Sequence, residues 1–352
     1  MDDALRNDTY MLRVRKVIPE TPDTKSFVLE EVNGKQLNYM AGQFLTFLFP
    51  KKNGEEDRRN YSISSTPLCD DPLTITVKRI PNGEYSRRLV DMMREGDEFV
   101  SIGASGFFVL PGDMELYDRF IFFAAGSGIT PVYSLIKTLL HHHHPFKQVV
   151  LIYSNRSAEF AIFSRELKQL KESYPEQFHI EFLFSDAKRI AHKRLGIYVL
   201  EKLLERYTDG PLNRQLFYLC GPFEYMRMIT IVLKNNGVAA SHIRKEIFSI
   251  EKPQRKAEPP DKELHAVSAM LHGKEYQFQT QYPETILQSA KALNISLPYS
   301  CEAGQCGTCA ATCVSGKVFM WRNDVLLDEE IAKGRVLTCT GYAVGGDVTL
   351  KY

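Results

Sequence analysis

Short apolar segments punctuated by Pro, Asn, Gly and Asp fill the first 110 or so residues: RVRKVIPE, KSFVLEE, FLTFLFP, RNYSIS and LTITVKRI. β-branched and aromatic runs broken in this way predict a small antiparallel β-barrel. One helical pattern interrupts them, YSRRLVDMMREG, with Ser86 near its start and Gly96 after it. From about residue 115 the rhythm changes. RFIFFAA, QVVLIYS, HIEFLFS and QLFYLCG are continuous apolar runs, and PVYSLIKTLLHH, FAIFSRELKQLKES and FEYMRMITIVLKNNG between them have helical spacing. Buried strands alternating with helices predict an α/β domain on a parallel sheet. EKPQRKAEPPDKE is polar, carries three prolines and reads as an interdomain linker. About 90 residues remain after it, enough for one small domain. The expected division is residues 1–113, 114–250, a linker over 251–262, and 263–352.

Composition narrows the classes. The 352 residues are 44% apolar and 25% charged, with a net charge of +1, which gives no reason to expect nucleic acid or an anionic membrane as partner. No apolar run approaches the length of a membrane span. MDDALRNDTY lacks the charged and apolar regions of a signal peptide, so the expected compartment is the reducing cytoplasm. Seven cysteines in such a compartment argue against a disulfide framework. Five of them follow residue 300, while Cys69 and Cys220 stand alone, as small buried apolar residues do. The run His141–His144 suggests a metal tract, but consecutive helical residues point in different directions, so an exposed helix end is expected.

The cysteine-rich stretch CEAGQCGTCAATC, residues 301–313, carries the clearest chemistry, with Cys339 following in VLTCTGY. A zinc site prefers two well-separated C-x₂₋₄-C pairs. Cys301 with Cys306, or Cys306 with Cys309, supplies one pair, but only Cys339 stands downstream. The bacterial-type run C-x₂-C-x₂-C-x₃-C-P fits Cys306, Cys309 and Cys313 in its second half. Cys301 is then too far upstream, and Val314 stands where proline belongs. The plant-type [2Fe–2S] loop, C-x₄-C-x₂-C with one distant cysteine, matches Cys301, Cys306, Cys309 and Cys339 without adjustment. Gly304 and Gly307 let the backbone fold closely and turn its N–H groups toward sulfur, and Ala303, Thr308 and Ala310 are small. Cys313 is left as a free, packed thiol. Over residues 263–352 the chain resembles plant-type ferredoxins, which carry one electron at a time.

Upstream motifs suggest what loads such a centre. RRNYSISS holds Arg-x-Tyr-Ser on a barrel strand, where alternation puts Arg59 and Tyr61 on one face and Ser62 on the other. A flavin nucleotide needs a cation for its pyrophosphate, an aromatic face for its ring and a small hydroxyl near the reactive nitrogen. In VKRIPNGEYS, Gly83 and Ser86 stand at a loop-to-helix junction, where N–H groups and the helix dipole favour phosphate. Ser86 also suits a simple helix cap. FFAAGSGITP follows an apolar strand and opens a helix, and Gly126 and Gly128 would admit a dinucleotide. Pro131 replaces the third glycine of G-x-G-x-x-G, which disfavours the dehydrogenase-type Rossmann fingerprint. YLCGPFEYM places Cys220, Gly221 and Pro222 between a strand and a helix, at the carboxyl edge where parallel sheets bind ligands.

In this order the motifs resemble the ferredoxin–NADP⁺ reductase superfamily over residues 8–250, and the whole chain is similar to the reductase subunits of the phenylacetyl-CoA epoxidase group. The resemblance implies a β-barrel flavin domain, an α/β nucleotide domain and an α+β (β-grasp) ferredoxin domain. It implies FAD rather than FMN, a [2Fe–2S] cluster, and NADPH or NADH as donor. Carried over by residue, Arg59, Tyr61 and Ser62 would hold the flavin, Gly83 and Ser86 would hold its pyrophosphate, and Lys78 would also bind cofactor. Gly126, Gly128, Thr130, Pro131, Gly221 and Pro222 would line the nicotinamide nucleotide. Cys220 would sit near the hydride-donating carbon, with Glu246 or Phe248 near the flavin ring. Arg156 is the candidate for a 2′-phosphate, helped by Lys188, Arg189, Lys193 and Arg194. Asp186 stands where relatives often carry Arg, which weakens the NADPH reading.

A hydride brings two electrons and a [2Fe–2S] centre takes one, so a flavin between them splits the pair. The expected function is an electron-transfer reductase serving a partner oxygenase or similar metalloenzyme. The alternatives are a reductase for another acceptor (a desaturase or hybrid-cluster protein), or a non-catalytic iron–sulfur sensor or binding module.

Overall fold

The computed structural model describes residues 9–51, 55–69, 71–141, 148–187, 194–248 and 256–352. They form two compact units, one of 9–104 with 108–248, the other of 105–107 with 256–352. No described helix is long and apolar enough to cross a membrane. Lys188, Arg189, Lys193, His142–His144 and the first residues of the expected linker lie outside the described residues.

The first unit begins with β1 (Tyr10–Thr21), β2 (Thr24–Glu31), β3 (Phe44–Pro50), β4 (Glu56–Ser62), β5 (Thr74–Lys78) and β6 (Glu98–Ser105). They make one antiparallel sheet in the order β4-β3-β6-β1-β2-β5, and a bridge between Ile63 and Ile75 joins its two edges into a barrel. Alternate residues point inward. Leu12, Val14, Phe27, Leu45, Phe47, Ile75 and Val77 are at most 2% exposed and form the barrel core. Burying each such side chain contributes about 1.5–3 kcal/mol. Strand β6, which the sequence pattern left unassigned, pairs with β1 from Tyr10↔Ser101 to Arg13↔Glu98.

The helix expected over YSRRLVDMMREG is shorter than its pattern. It consists of α1 (Glu84–Arg87) and a π-helical turn, Arg88–Met92. The chain must then reverse into β6, and it does so at Gly96, whose φ is +92° and whose N–H donates to Val14 O at 2.8 Å.

The same unit continues with β7 (Arg119–Ala125), α2 (Ile129–His141), β8 (Gln148–Asn155), α3 (Ser164–Ser173), β9 (Phe178–Phe184), α4 (Ile197–Tyr207), β10 (Gln215–Cys220), α5 (Phe223–Asn235) and β11 (Ile243–Glu246). The strands are parallel in the order β11-β10-β7-β8-β9. Both faces are covered, which is why the runs are apolar throughout. Phe120, Phe122 and Ala124 of β7 join one core, and Ile121 and Phe123 join the other. Helix α4 and strand β11 were not anticipated. Helix α3 starts four residues later than its pattern because Phe163 adopts φ +57° and stacks on Tyr133, with ring centroids 4.4 Å apart. His141, the first of the four histidines, is the exposed last residue of α2.

The second unit contains β12 (His265–Leu271), β13 (Lys274–Thr280), α6 (Ile286–Ala292), β14 (Ala310–Ser315), β15 (Val318–Met320), α7 (Asp328–Ala332), β16 (Arg335–Leu337), β17 (Gly341–Ala343) and β18 (Val348–Lys351). A mixed sheet runs β13-β12-β18-β14-β16, with β12 and β18 parallel. Helix α6 lays Ile286, Leu287 and Ala290 into its core. A capping box fixes the start of α6: Thr285 Oγ1 accepts from Gln288 N, and Gln288 Oε1 accepts from Thr285 N. The described half of the proline-bearing stretch is fastened to this unit. Pro259 is buried, and Asp261 accepts from the N–H groups of Glu263 and Gly345 at 2.7 and 2.6 Å.

Candidate flavin, nucleotide and iron–sulfur sites

Strand β4 carries the Arg-x-Tyr-Ser motif at its carboxyl end. Arg59 and Tyr61 lie opposite Phe47 and Leu45 of β3, and Ser62 takes the other face, as alternation requires. The Tyr61 ring packs 5.8 Å from Phe47, and burial pushes its phenol well above the usual range. The Arg59 guanidinium lies 4.6 Å over the ring of Tyr85 and reaches Asp57 at 3.1 Å. Tyr85 in turn donates to Asp57 at 2.7 Å, and Lys51 meets the same carboxylate at 2.7 Å. Tyr85 and Asp57 are the parts that sequence reasoning missed. Tyr85 stands between the two residues chosen from GEYS, but its ring's place over β4 is a tertiary fact. An exposed guanidinium stacked on an aromatic ring, beside a half-buried tyrosine and a buried serine, suits an anionic ring-bearing nucleotide such as FAD.

Gly83 and Ser86 do come together, through their own turn. The Ser86 hydroxyl accepts from Ile80 N at 3.1 Å and donates to Gly83 O at 3.2 Å. A side chain on Gly83 would meet that hydroxyl at 2.5 Å. Ser86 therefore shapes the turn whose N–H groups a phosphate would face.

The parallel sheet reverses its winding between β7 and β10, and at such a switch point the carboxyl ends of the strands leave a crevice for ligand. Gly126 opens there with φ +55°, and Lys78 Nζ, reaching across from β5, lies 3.9 Å from where a Gly126 side chain would begin. Lys78 thus joins the barrel to the nucleotide turn. Gly128 faces the other way. A Cβ there would stand 2.0 Å from Cys220 O, so glycine is what lets β7 and β10 close together. Thr130 and Pro131 are buried: Thr130 donates to Ser127 O at 2.9 Å, and Pro131 O accepts from Ser134 at 2.8 Å. Both hold the turn from within.

Cys220 ends β10, Gly221 follows it, and Pro222 is the cap residue before α5. Glu246 ends β11 beside Cys220, and both are buried, whereas Phe248 is 47% exposed. Burial, then the Glu246 carboxylate, push the Cys220 thiol well above its usual range, so it stays protonated. Arg156 lies apart from the switch point. It is exposed just beyond β8, its guanidinium 6.0 Å from Phe160, and Asp186 donates its N–H to Arg156 O at 3.2 Å.

In the second unit the four cysteines converge two by two. Cys301 pairs with Cys306 and Cys309 with Cys339 by thiol hydrogen bonds. The pairing lowers Cys301, to about 6, and Cys309, while it raises Cys306 and Cys339. Loop N–H groups of Ala303, Gln305 and Cys306 point at the Cys301 sulfur, and that of Gly304 at Cys339. Gly304 has φ +72°, and a Cβ there would press Arg322 O at 2.8 Å. Thr338 binds the two halves, its N–H and hydroxyl both donating to Cys309 O, at 3.3 and 3.1 Å. Among the described residues no three such side chains gather round one point to hold a single ion. Two pairs with amides aimed at sulfur fit a two-iron cluster better than zinc. Cys313 is half-buried with its thiol against Ser315 O at 3.3 Å.

Comparison with known proteins gives the same order of parts. An oxidoreductase FAD-binding domain matches residues 11–109, an oxidoreductase NAD-binding domain 122–230, and a 2Fe-2S iron-sulfur cluster binding domain 269–344. Over 98% of its length the chain is 30% identical to the ferredoxin reductase component of 3-ketosteroid-9-alpha-monooxygenase from Rhodococcus rhodochrous, covering 97% of that protein. It is also 30% identical to one of the subunits of 1,2-phenylacetyl-CoA epoxidase from Escherichia coli, over 97% of each chain. The solved structure of phthalate dioxygenase reductase superposes with a TM-score of 0.59 at 25% identity, over 99% of both chains. Together these define an NAD(P)H-dependent flavin and iron–sulfur oxidoreductase. The chain belongs to the phthalate dioxygenase reductase-like family, which joins FAD-binding, NAD-binding and 2Fe-2S domains in one polypeptide.

Proposed function

We propose that this protein is the NAD(P)H-dependent reductase of a multicomponent oxygenase, passing electrons through FAD and a [2Fe–2S] cluster to a partner metalloenzyme in the cytoplasm. The observation that carries this reading is the presence in one chain of a nucleotide switch point that Lys78 of the barrel reaches, a flavin-type motif on the same barrel, and a two-by-two set of cysteine thiols. When bound, the flavin takes two electrons from the nicotinamide as hydride and gives them up singly to the cluster. Arg59 and Lys78 supply positive charge for the phosphates, and Tyr61 supplies ring contact. Ser62 would present its hydroxyl near the reactive nitrogen of the flavin. Gly126 admits the nucleotide, while Gly128 keeps Cys220 and Glu246 close to it. The buried, protonated Cys220 thiol would lie beside the nicotinamide without competing as a nucleophile. Cys301, Cys306, Cys309 and Cys339 hold the cluster, and the loop amides favour its charge.

Arg156 and Asp186 bring opposite charges to the same strand ends, so the donor is assigned by titration. The anaerobic protein is titrated with NADPH and then NADH while its visible spectrum is recorded. Bleaching of both flavin and iron–sulfur bands by one nucleotide supports the reductase. A cluster spectrum without flavin, or cofactors that neither nucleotide reduces, rejects it in favour of a binding module. The acceptor is tested separately: an oxygenase that the reduced protein re-oxidises supports the oxygenase reading, and reduction confined to a desaturase or hybrid-cluster protein replaces it.

A further inference from the structure

Phe27, Ile63, Ile75 and Val77 fill the barrel core, so Ser26, Ser64 and Thr76, which alternate with them, lie on its outer face. Hydroxyls on such a face are ordinarily wet. Here Ser26 is 2% exposed, Ser64 3% and Thr76 5%. They form a continuous row: Ser26 Oγ is 2.7 Å from Thr76 Oγ1, which is 2.9 Å from Ser64 Oγ. At one end Ser26 Oγ lies 2.6 Å from Glu20 Oε1, and at the other Ser64 Oγ lies 3.3 Å from Thr74 O.

Four links join these groups, but the hydroxyls own only three protons. A proton on Glu20 fills every link, with Glu20 donating to Ser26, Ser26 to Thr76, Thr76 to Ser64, and Ser64 to Thr74 O. With Glu20 ionised the row reverses: Ser26 donates to Glu20, Thr76 donates to Ser26, and Ser64, which accepts from Thr76 in the structure, turns to donate to it. Thr74 O then still keeps the N–H of Ser64 at 2.8 Å. Passing one proton from end to end therefore means turning three hydroxyls, which is how a proton wire works.

We propose that Glu20, Ser26, Thr76 and Ser64 conduct protons between the half-buried Glu20 carboxyl and the barrel face beside Ser62. Ser62 and Ser64 lie two residues apart on that face, a span of about 7 Å. The proposal rests on the reading that the flavin ring sits at Ser62. A hydride is one proton with two electrons, and iron–sulfur acceptors take the electrons alone. One proton per hydride must therefore leave the barrel, and the row delivers it through Glu20 to water.

The surroundings of Glu20 suit an exchangeable proton. Glu166 of α3 and Tyr133 of α2 face it, with the Lys137–Asp71 pair behind Tyr133. On its own hairpin Asp23 is occupied by the hydroxyls of Thr21 and Thr24 and by Lys78. Burial pushes the Glu20 carboxyl up, the Ser26 hydrogen bond opposes this, and the Glu166 charge adds to it.

Two measurements on the full chain test the path. The first follows the Glu20 carboxyl band by infrared difference spectroscopy during a pH titration without nucleotide, the band being identified by Glu20→Gln. Thr76→Val keeps the side-chain outline and cuts the row. Ser26 is then free to donate to Glu20 alone, so the Glu20 midpoint falls and the band shifts. An unmoved midpoint overturns the wire. The second measures re-oxidation of the reduced flavin in water and in deuterium oxide. The wild type shows a solvent isotope effect, and Glu20→Gln and Thr76→Val each slow the step about tenfold, below the range usual for a positioned acid–base group. If the midpoint moves but re-oxidation matches the wild type, the row is real and its service to the flavin is refuted. If neither nucleotide reduces the wild-type flavin, the reductase reading fails, and this proposal with it.

Discussion

Cys220 and Glu246 stand side by side at the carboxyl ends of adjacent parallel strands, paired Cα to Cα, with Ala124 flanking Cys220 on its other side. This places a protonated thiol and a carboxylate at the crevice where the sheet changes its winding. Both are expected to position the nicotinamide. Replacing Cys220 with Ala or Glu246 with Gln should slow flavin reduction by on the order of 10²-fold, the cost of a misplaced reactant. Nucleotide affinity should stay within about twofold. Stopped-flow single turnovers at saturating nucleotide separate the two quantities, and an unchanged reduction rate would refute the assignment.

Gly126 and Gly128 are two residues apart yet make opposite demands. At Gly126 a methyl group has open space, its nearest neighbour being Lys78 Nζ at 3.9 Å, so Gly126→Ala costs only the left-handed backbone, roughly 1–2 kcal/mol. At Gly128 the methyl would stand 2.0 Å from Cys220 O, and β7 and β10 would have to part. Gly128→Ala is expected to lower the thermal midpoint far more than Gly126→Ala. The latter should mainly weaken nucleotide binding. Melting curves and nucleotide titrations of the two variants decide it.

Changing any of Cys301, Cys306, Cys309 or Cys339 to Ser should remove most of the iron and the associated visible absorption. Cys313→Ser should leave both intact, because that thiol only approaches Ser315 O and Gly316 O, at 3.3 and 3.7 Å. Iron and sulfide assays per chain are sufficient. Iron lost from Cys313→Ser would mean that the ligand set is wrong.

Asp261 is held by backbone N–H groups of Glu263 and Gly345 and by His265, and these keep its carboxyl below the usual range. A lowered carboxyl stabilises the fold at neutral pH, and that contribution is lost as acid protonates it. Asp261→Asn should therefore melt earlier than the wild type at pH 7, and the gap should close below the ordinary carboxylate range. Trp321 is the single tryptophan of the chain and lies in the same unit, so its fluorescence reports this transition alone. A gap that persists in acid would contradict the assignment.

The parts legible in the sequence were those with a strict spacing or an unbroken apolar run. Strands β3 and β7 fell on FLTFLFP and RFIFFAA to the residue. The two-by-two thiols follow from a spacing that only one known loop type satisfies. Tertiary demands decided the rest. Phe163 breaks a good helical pattern to stack on Tyr133, and Tyr85 reaches Arg59 from a different segment. Ser26 and Thr76 carry no motif, and their buried row comes from the packing of separate segments. Thr130 and Pro131, which the resemblance makes lining residues, are buried, and the bonds they make within the turn are not readable from the motif.

Barrel and parallel sheet are stitched together by hydrogen bonds from Gly42 N to the Ser134 hydroxyl at 2.9 Å, from the Tyr218 hydroxyl to Val109 O at 2.9 Å, and between Thr66 and Thr138 at 2.8 Å. A gene break near residue 113 would orphan all of these groups at once, whereas a break in the 251–262 stretch would divide none of them. Recombination should therefore have passed the first two domains down as a single heritable cassette. The ferredoxin is the part that lineages could gain, lose or exchange.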